Sequence, residues 1–248
     1  MLGIIGGTGL TQLANLEITH RQVIRTPYGE PSGPLTYGNI NCHQVVFLAR
    51  HGYGHNIPPH MVNYRANLWA LHSQGVREVV SVATVGGIHA QLTPGSIVIP
   101  DQIIDYTHGR KSTFHDVTDR AVTHIDFTEP YCQRMRALCM QAAADADEAF
   151  VDGGVYAAVQ GPRLETAAEI NRLERDGAAM VGMTGMPEAA LARELEISYA
   201  AVCVLANHAA GRGSSAHGIQ YAAIESVLSG AMQRVRNILE HLVALHGR

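Results

Sequence analysis

Along the chain, short runs of β-branched and small apolar residues alternate with segments whose apolar positions recur every three or four residues. The first kind predicts strands over Gly3 to Ile5, His43 to Ala49, Val79 to Thr84, Ser96 to Ile99, Gly154 to Val159, Ala179 to Val181 and Tyr199 to Ala206. Several of these runs are apolar without alternation, the pattern of strands covered on both faces. The second kind predicts helices over Met61 to Gln74, Pro130 to Ala144, Thr166 to Arg175 and Pro187 to Leu195. Gly75 is placed to cap the first, and prolines suit the first turns of two others. The last helix is the clearest, with Ile224, Val227, Leu228, Met232, Val235, Ile238, Leu239 and Leu242 forming one apolar stripe. Such alternation implies one α/β sandwich with a largely parallel central sheet. No repeat, low-complexity linker or break in composition divides it.

Composition narrows the partners. The 248 residues are 46% hydrophobic, enough for a sizeable core, and only 16% charged, against roughly 25% in an average globular chain. A surface so poor in charge is expected to be hidden in part by self-association. With 18 Lys+Arg against 22 Asp+Glu, a net charge of −4 and no basic block, no nucleic-acid partner is expected. Cys42, Cys132, Cys139 and Cys203 form neither a C-x-x-C pair nor a zinc pattern, so reduced thiols in a reducing, cytoplasmic compartment are expected. The start, MLGIIGGTGL, lacks the basic region of a signal peptide. The uncharged stretch from Val79 to Pro100 is broken by Gly86, Gly87 and Pro94, so no membrane span is expected.

Four clusters carry candidate chemistry. Gly6-Gly7-Thr8-Gly9 directly follows the first strand. Glycines there let backbone N–H groups converge on an anion, although an ordinary tight turn has the same composition. The G-x-G-x-x-G spacing of a dinucleotide fingerprint fails after Gly9, and no G-x-x-x-x-G-K-[ST] loop occurs. Arg50-His51-Gly52 ends another strand, where a guanidinium fork suits phosphate oxygens or is simply solvated. His51, His55 and His60 suggest a metal, but no carboxylate lies among them and the loop offers no helical face, so none is expected. Ala83-Thr84-Val85-Gly86-Gly87 and Gly182-Met183-Thr184-Gly185-Met186-Pro187-Glu188 end two further strands, and the latter lacks the G-x-S-x-G form of a nucleophile elbow. A ligand beyond the strand ends of an open α/β sheet would touch such loops together. Many anion donors and no covalent nucleophile point to inorganic phosphate or a phosphoryl group.

Four segments in order, IGGTGL, RHGYGHNIPPHMVNYRANLWAL, GVYAAVQGPRLETAAE and VGMTGMPEAALARE, resemble the trimeric purine nucleoside and methylthioadenosine phosphorylases. The resemblance runs from the first strand to the last helix. It implies a phosphorylase/hydrolase-like three-layer α/β sandwich with a central mixed sheet, as one domain over residues 1–248. It also implies a homotrimer with active sites near subunit boundaries, and no metal or organic cofactor, inorganic phosphate being a co-substrate. In such enzymes phosphate attacks C1′ of the ribosyl group as the purine leaves, through a transition state of oxocarbenium character. The protein must hold phosphate near C1′ and stabilise negative charge growing on the base.

Residue by residue, the resemblance puts Thr8, Arg50, His51 and Thr184 where family members hold phosphate, with a backbone N–H from the loop containing Thr84. Ala83 stands where relatives have Thr, Ser or Asn. Met183 matches the residue under the ribose, and His124 resembles a histidine donated by a neighbouring subunit. Glu165 and Asn207 match the pair that 6-oxopurine phosphorylases use on the base. Adenine-specific relatives have Ser near the first position and T-D-Y-D at the second. Here the second reads ANHA, with Ala209 in place of the last Asp. An ionised Glu only accepts hydrogen bonds, so it suits the N1–H of hypoxanthine or guanine and opposes the N1 acceptor of adenine. Sites built on such a donor reject the wrong analogue by roughly 10⁴ to 10⁵. Without the resemblance, Glu165 also fits a first-turn helix carboxylate, and Asn207 a strand-end turn.

For the sugar, Ile224 falls where nucleoside phosphorylases have a histidine for the 5′-hydroxyl. Ile224 and Val227 suit an apolar 5′-methylthio group, or plain core packing, and a small register change would bring His217 there instead. An oxopurine base with a methylthio sugar makes methylthioinosine the expected substrate. General inosine/guanosine or methylthioadenosine phosphorolysis are the alternatives, and phosphate-independent cleavage would mark a hydrolase.

Overall fold

The computed structural model describes residues 1–116 and 121–247. In chain order its strands and helices are β1 (Leu2–Gly6), β2 (Glu17–Gln22), β3 (Leu35–Ile40), β4 (His43–Ala49), α1 (Tyr64–Ser73), β5 (Glu78–Gly87), β6 (Ile97–Ile99), β7 (Gln102–Asp105), α2 (Gln133–Asp145), β8 (Val151–Asp152), β9 (Val155–Ala158), α3 (Ala167–Arg175), β10 (Ala178–Gly182), α4 (Gly185–Glu194), β11 (Ser198–His208) and α5 (Tyr221–His246). The strands form one sheet in the order β2-β3-β4-β1-β5-β10-β9-β7, with β11 branching from β5 to β6 and then β8.

The sheet is mixed. β1 runs parallel to β4 and β5, and β5 parallel to β11, whereas β2, β3 and β4 form an antiparallel meander and β10 meets β5 antiparallel. The largely parallel sheet expected from the apolar runs is therefore corrected by the β2–β3–β4 meander at one margin and by the antiparallel β5–β10 and β6–β11 pairs within the sheet.

Uniformly apolar strands do alternate once folded. Val79, Ala83 and Val85 of β5, with Ala201, Cys203 and Leu205 of β11, join the core beneath α1 and α4. Val80 and Val82, with Ala200, Val202 and Val204, join the core beneath α2 and α5. Side chains at successive strand positions point to opposite faces, so a strand sandwiched between two helical layers needs apolar residues at every step. Three layers follow from that pattern.

Helix boundaries obey local chemistry. α1 begins at Tyr64, three residues later than expected, because the Asn63 side chain accepts from Ala66 N–H (3.1 Å) and caps it. Gly75, at φ +82°, closes its far end by donating its N–H to His72 O (3.0 Å). Thr166 is the N-cap of α3, in a capping box with Glu169.

Candidate active site

The C-terminal ends of β1, β4, β5 and β11 converge on a cleft of about 580 Å³, closed on one side by α5. The turn after β1 brings Thr8 to it. Gly7 in that turn packs so closely that a Cβ would fall 2.6 Å from Val82 O and 2.9 Å from Arg50 Nη1, so only glycine fits. The Thr84 hydroxyl donates to Thr8 O (3.0 Å). Its hydroxyl proton is thus committed to the neighbouring loop.

Arg50 is 1% exposed, so the solvated alternative is excluded. Its fork is already occupied: Nε and Nη2 donate to the Glu188 carboxylate (2.6 and 2.8 Å), Nη2 also to Ser81 Oγ, and Nη1 to Val82 O. A guanidinium has five N–H donors, so one, on Nη1, remains, and Arg50 lines the cleft. Glu188, fully buried, also accepts from Ser81 Oγ (2.9 Å) and Tyr199 OH (2.7 Å). Burial alone would raise its carboxyl, but the adjacent Arg50 charge and these hydrogen bonds bring it below the ordinary carboxylate value. The sequence reading missed Glu188. Its only signal was a carboxylate opening an otherwise apolar helix turn inside one of the four recognised segments.

His51 is neutral in this setting. Burial, then the Arg50 charge, push its pKa down to about 4. Nδ1 lies 2.8 Å from Ile57 O, and a carbonyl only accepts, so Nδ1 carries the proton and Nε2 a lone pair. His51 therefore offers the cleft an acceptor. Because the fold lowers this pKa from 6.5, the histidine's contribution to stability is complete above pH 6.5 and lost as pH falls toward 4. We expect melting temperature to drop between pH 6.5 and 4, and the drop to flatten in His51→Asn. Equal slopes in thermal melts would refute this assignment.

Thr184 is buried at the start of α4, and its N–H donates to Tyr156 OH (3.3 Å). Met183 lines the same wall. Glu165 lies on the loop before α3, and burial raises its carboxyl pKa. The first-turn carboxylate of α3 is Glu169, held by Arg163 and the Thr166 cap, so the helix-dipole reading of Glu165 is corrected: it precedes the helix. Asn207 sits where β11 slips by one residue against β5: Leu205 pairs with Val85 and Asn207 with Gly86, leaving Ala206 extra. A bulge of this kind lets both flanking side chains face one way, and Ala206 and Asn207 both line the cleft. Asn207 Nδ2 donates to His208 O (2.6 Å), which leaves one N–H and the amide oxygen for a ligand.

The α5 wall of the cleft departs from the expected pair of residues. Ile224 lines the cleft, but Val227 does not; Leu228 takes that place, one turn above Ile224 on the same face of α5. His217 is exposed and away from the lining, where Ile219 is found instead. Ala209 packs against Gly86 at the floor. His124 is exposed and does not line the cleft of its own chain. Tyr221, 68% exposed, and His55, whose Nε2 is 3.4 Å from the Thr8 hydroxyl, line the mouth and were not assigned to the cleft from sequence. Among the described residues, no group of three or more His, Cys, Asp and Glu side chains could hold a metal ion.

Thr8, Arg50, His51 and Thr184 thus share one strand-end cleft with Glu165, Asn207 and the apolar Ile224 and Leu228 of α5, and the chain belongs to the Phosphorylase superfamily, whose sequence profile matches residues 1–244. It is 50% identical over 241 residues to a probable S-methyl-5'-thioinosine phosphorylase of Pseudomonas syringae pv. tomato, covering 97% of each chain. It is 44% identical over 215 residues to the 6-oxopurine nucleoside phosphorylase of Pyrococcus furiosus, covering 85% of this chain and 80% of that one. A solved methylthioadenosine phosphorylase from Schistosoma mansoni, in complex with adenine, superposes with a TM-score of 0.94 at 32% identity, covering 99% of this chain and 91% of the other.

Proposed function

We propose that this chain catalyses the phosphorolysis of S-methyl-5'-thioinosine to hypoxanthine and S-methyl-5-thioribose 1-phosphate. One observation carries the reading: a single cleft brings together Thr8, Arg50, His51 and Thr184, the Glu165–Asn207 pair, and the apolar Ile224–Leu228 face. Phosphate is held by the hydroxyls of Thr8 and Thr184, the remaining Arg50 N–H and the backbone at Thr84, with a P–OH donated to Nε2 of His51. Met183 packs under the ribose. Glu165 accepts N1–H, and the free Asn207 N–H meets N7 or O6.

In the reaction a phosphate oxygen forms a bond to C1′ while the C1′–N9 bond breaks. The electron pair goes to the purine, where Asn207 meets the growing charge. The cleft supplies no nucleophile of its own, and phosphate is the only co-substrate, without metal or organic cofactor. Ile219, Ile224 and Leu228 accept a methylthio group better than a hydroxyl, which they could not hydrogen-bond. The 6-oxopurine relative at 44% identity supports general inosine and guanosine phosphorolysis as a second reading. A homotrimer fits the exposed position of His124, free to reach a neighbour's cleft. No described helix is long and apolar enough to cross a membrane.

The test is a panel of methylthioinosine, methylthioadenosine, inosine and guanosine, each with and without phosphate. We expect methylthioinosine to give the highest kcat/KM, and no turnover in phosphate-free buffer. Inosine ranking first would support the second reading, and phosphate-independent release of base would overturn both.

A further inference from the structure

Arg110 lies outside the cleft, on the stretch that follows β7, yet its guanidinium reaches both walls of the site. Nη1 donates to the carbonyl oxygens of Met183 (2.8 Å) and Met186 (2.7 Å), which flank Thr184. Nη2 donates to Val159 O (3.3 Å) and Gln160 O (2.8 Å), where the loop to Glu165 begins, and Nε donates to the Gln160 side-chain oxygen (3.1 Å). Below it, the Tyr64 ring centroid is 5.6 Å from the guanidinium carbon, and Tyr64 OH is 3.3 Å from Nη1. The fork is thus fully engaged, and none of these partners carries a charge.

The two segments it joins meet without a spacer. A Cβ at Gly161 would fall 2.3 Å from the Met183 sulfur, and Gly161 adopts a left-handed φ of +61°. Val159 N–H also donates to Gly182 O (2.8 Å). A planar fork can bind carbonyls of two backbone segments at once; an ammonium on a flexible stem has no such fixed geometry.

We propose that Arg110 is a positioning residue, which fixes the spacing between the segment bearing Glu165 and the turn bearing Thr184. It touches neither substrate, and the assignment rests on the phosphorolysis proposed above. Attack on C1′ requires phosphate and nucleoside to be held at near-contact distance, and a misplacement of about 1 Å costs on the order of 100-fold in rate. Without Arg110 each subsite keeps its own side chains, so each substrate still binds, but their mutual placement is relaxed.

The experiment compares Arg110→Ala and Arg110→Lys with the unaltered chain, using methylthioinosine, phosphate and thermal melts. We expect kcat of Arg110→Ala to fall on the order of 100-fold, with both KM values within about threefold. Millimolar guanidinium chloride should restore part of that kcat, and sodium chloride at equal ionic strength should not. Arg110→Lys, charged but without the fork, should stay close to the alanine variant. Unchanged kcat per folded molecule, a loss carried by KM, no response to guanidinium, or insolubility of both variants would each overturn the proposal. If the unaltered chain releases no hypoxanthine with phosphate, the reaction itself is wrong and the proposal falls with it. An active wild type beside variants of unchanged kcat removes Arg110 alone.

Discussion

Replacing Glu188 by glutamine should destabilise the protein and, at the same time, make it respond more strongly to phosphate. The carboxylate is fully buried and neutralises Arg50 through two hydrogen bonds, with Ser81 and Tyr199 completing its shell. Removing one partner of a buried pair leaves the other charge uncompensated, at a cost of about 3–5 kcal/mol. In a chain of this size each kcal/mol moves the melting temperature by roughly 2–4 °C. The same uncompensated guanidinium faces the anion cleft, so a bound phosphate in Glu188→Gln takes over part of the lost neutralisation. Thermal melts across a phosphate titration should therefore start lower and rise further than in the parent chain. A variant that melts low and gains no more from phosphate than the parent would show that Arg50 does not meet the anion.

The second large effect concerns the base. Glu165→Ser combined with Asn207→Asp should lower kcat/KM for methylthioinosine by on the order of 10²–10³-fold, the range seen when a donor to developing charge is lost. It should also raise methylthioadenosine relative to methylthioinosine. The carboxylate that accepts N1–H is gone, and an aspartic acid at position 207 can present a proton to an adenine N7 that the amide met less strongly. Burial raises the Glu165 carboxyl pKa, so the unaltered chain should lose some preference for oxopurines as pH falls and that group protonates. A double variant that keeps the parental base ranking at neutral pH would remove both residues from base recognition.

How far the sequence could be read depended on whether a feature was local. The apolar runs of β1, β4, β5 and β11 announce themselves because both faces are covered. The all-exposed β2, EITHRQ, and the half-exposed β7, QIID, do not. They lie at the two sheet margins, β2 antiparallel to β3 and β7 parallel to β9, where polar residues serve as well as apolar ones. Gly86 and Gly87 look like a loop in sequence, yet β5 continues through them because β10 and β11 both pair there. Thr8, His51, Thr184, Glu165 and Asn207, far apart in the chain, all line the one cleft. Glu188 escaped because its partner Arg50 is 138 residues away and leaves no local periodicity. Arg110 escaped for a related reason: carbonyl acceptors are present in every residue, so its partners have no signature in side-chain chemistry. The exchange of Val227 for Leu228 is a rotation of one helical step, which the broad stripe of α5 accommodates equally well.

The slip in β11 carries a consequence for how such enzymes diverge. Asn207 faces the nucleoside cleft only because one surplus residue precedes it. Pairing without the slip, with Ala206 opposite Gly86, would turn the Asn207 amide toward the packed layer under α1 and α4, with every cleft residue still encoded. In this chain, then, a one-residue shift of register within a buried strand can redraw substrate preference as thoroughly as exchanging a contact residue, and a comparison of residue identities alone would not reveal it.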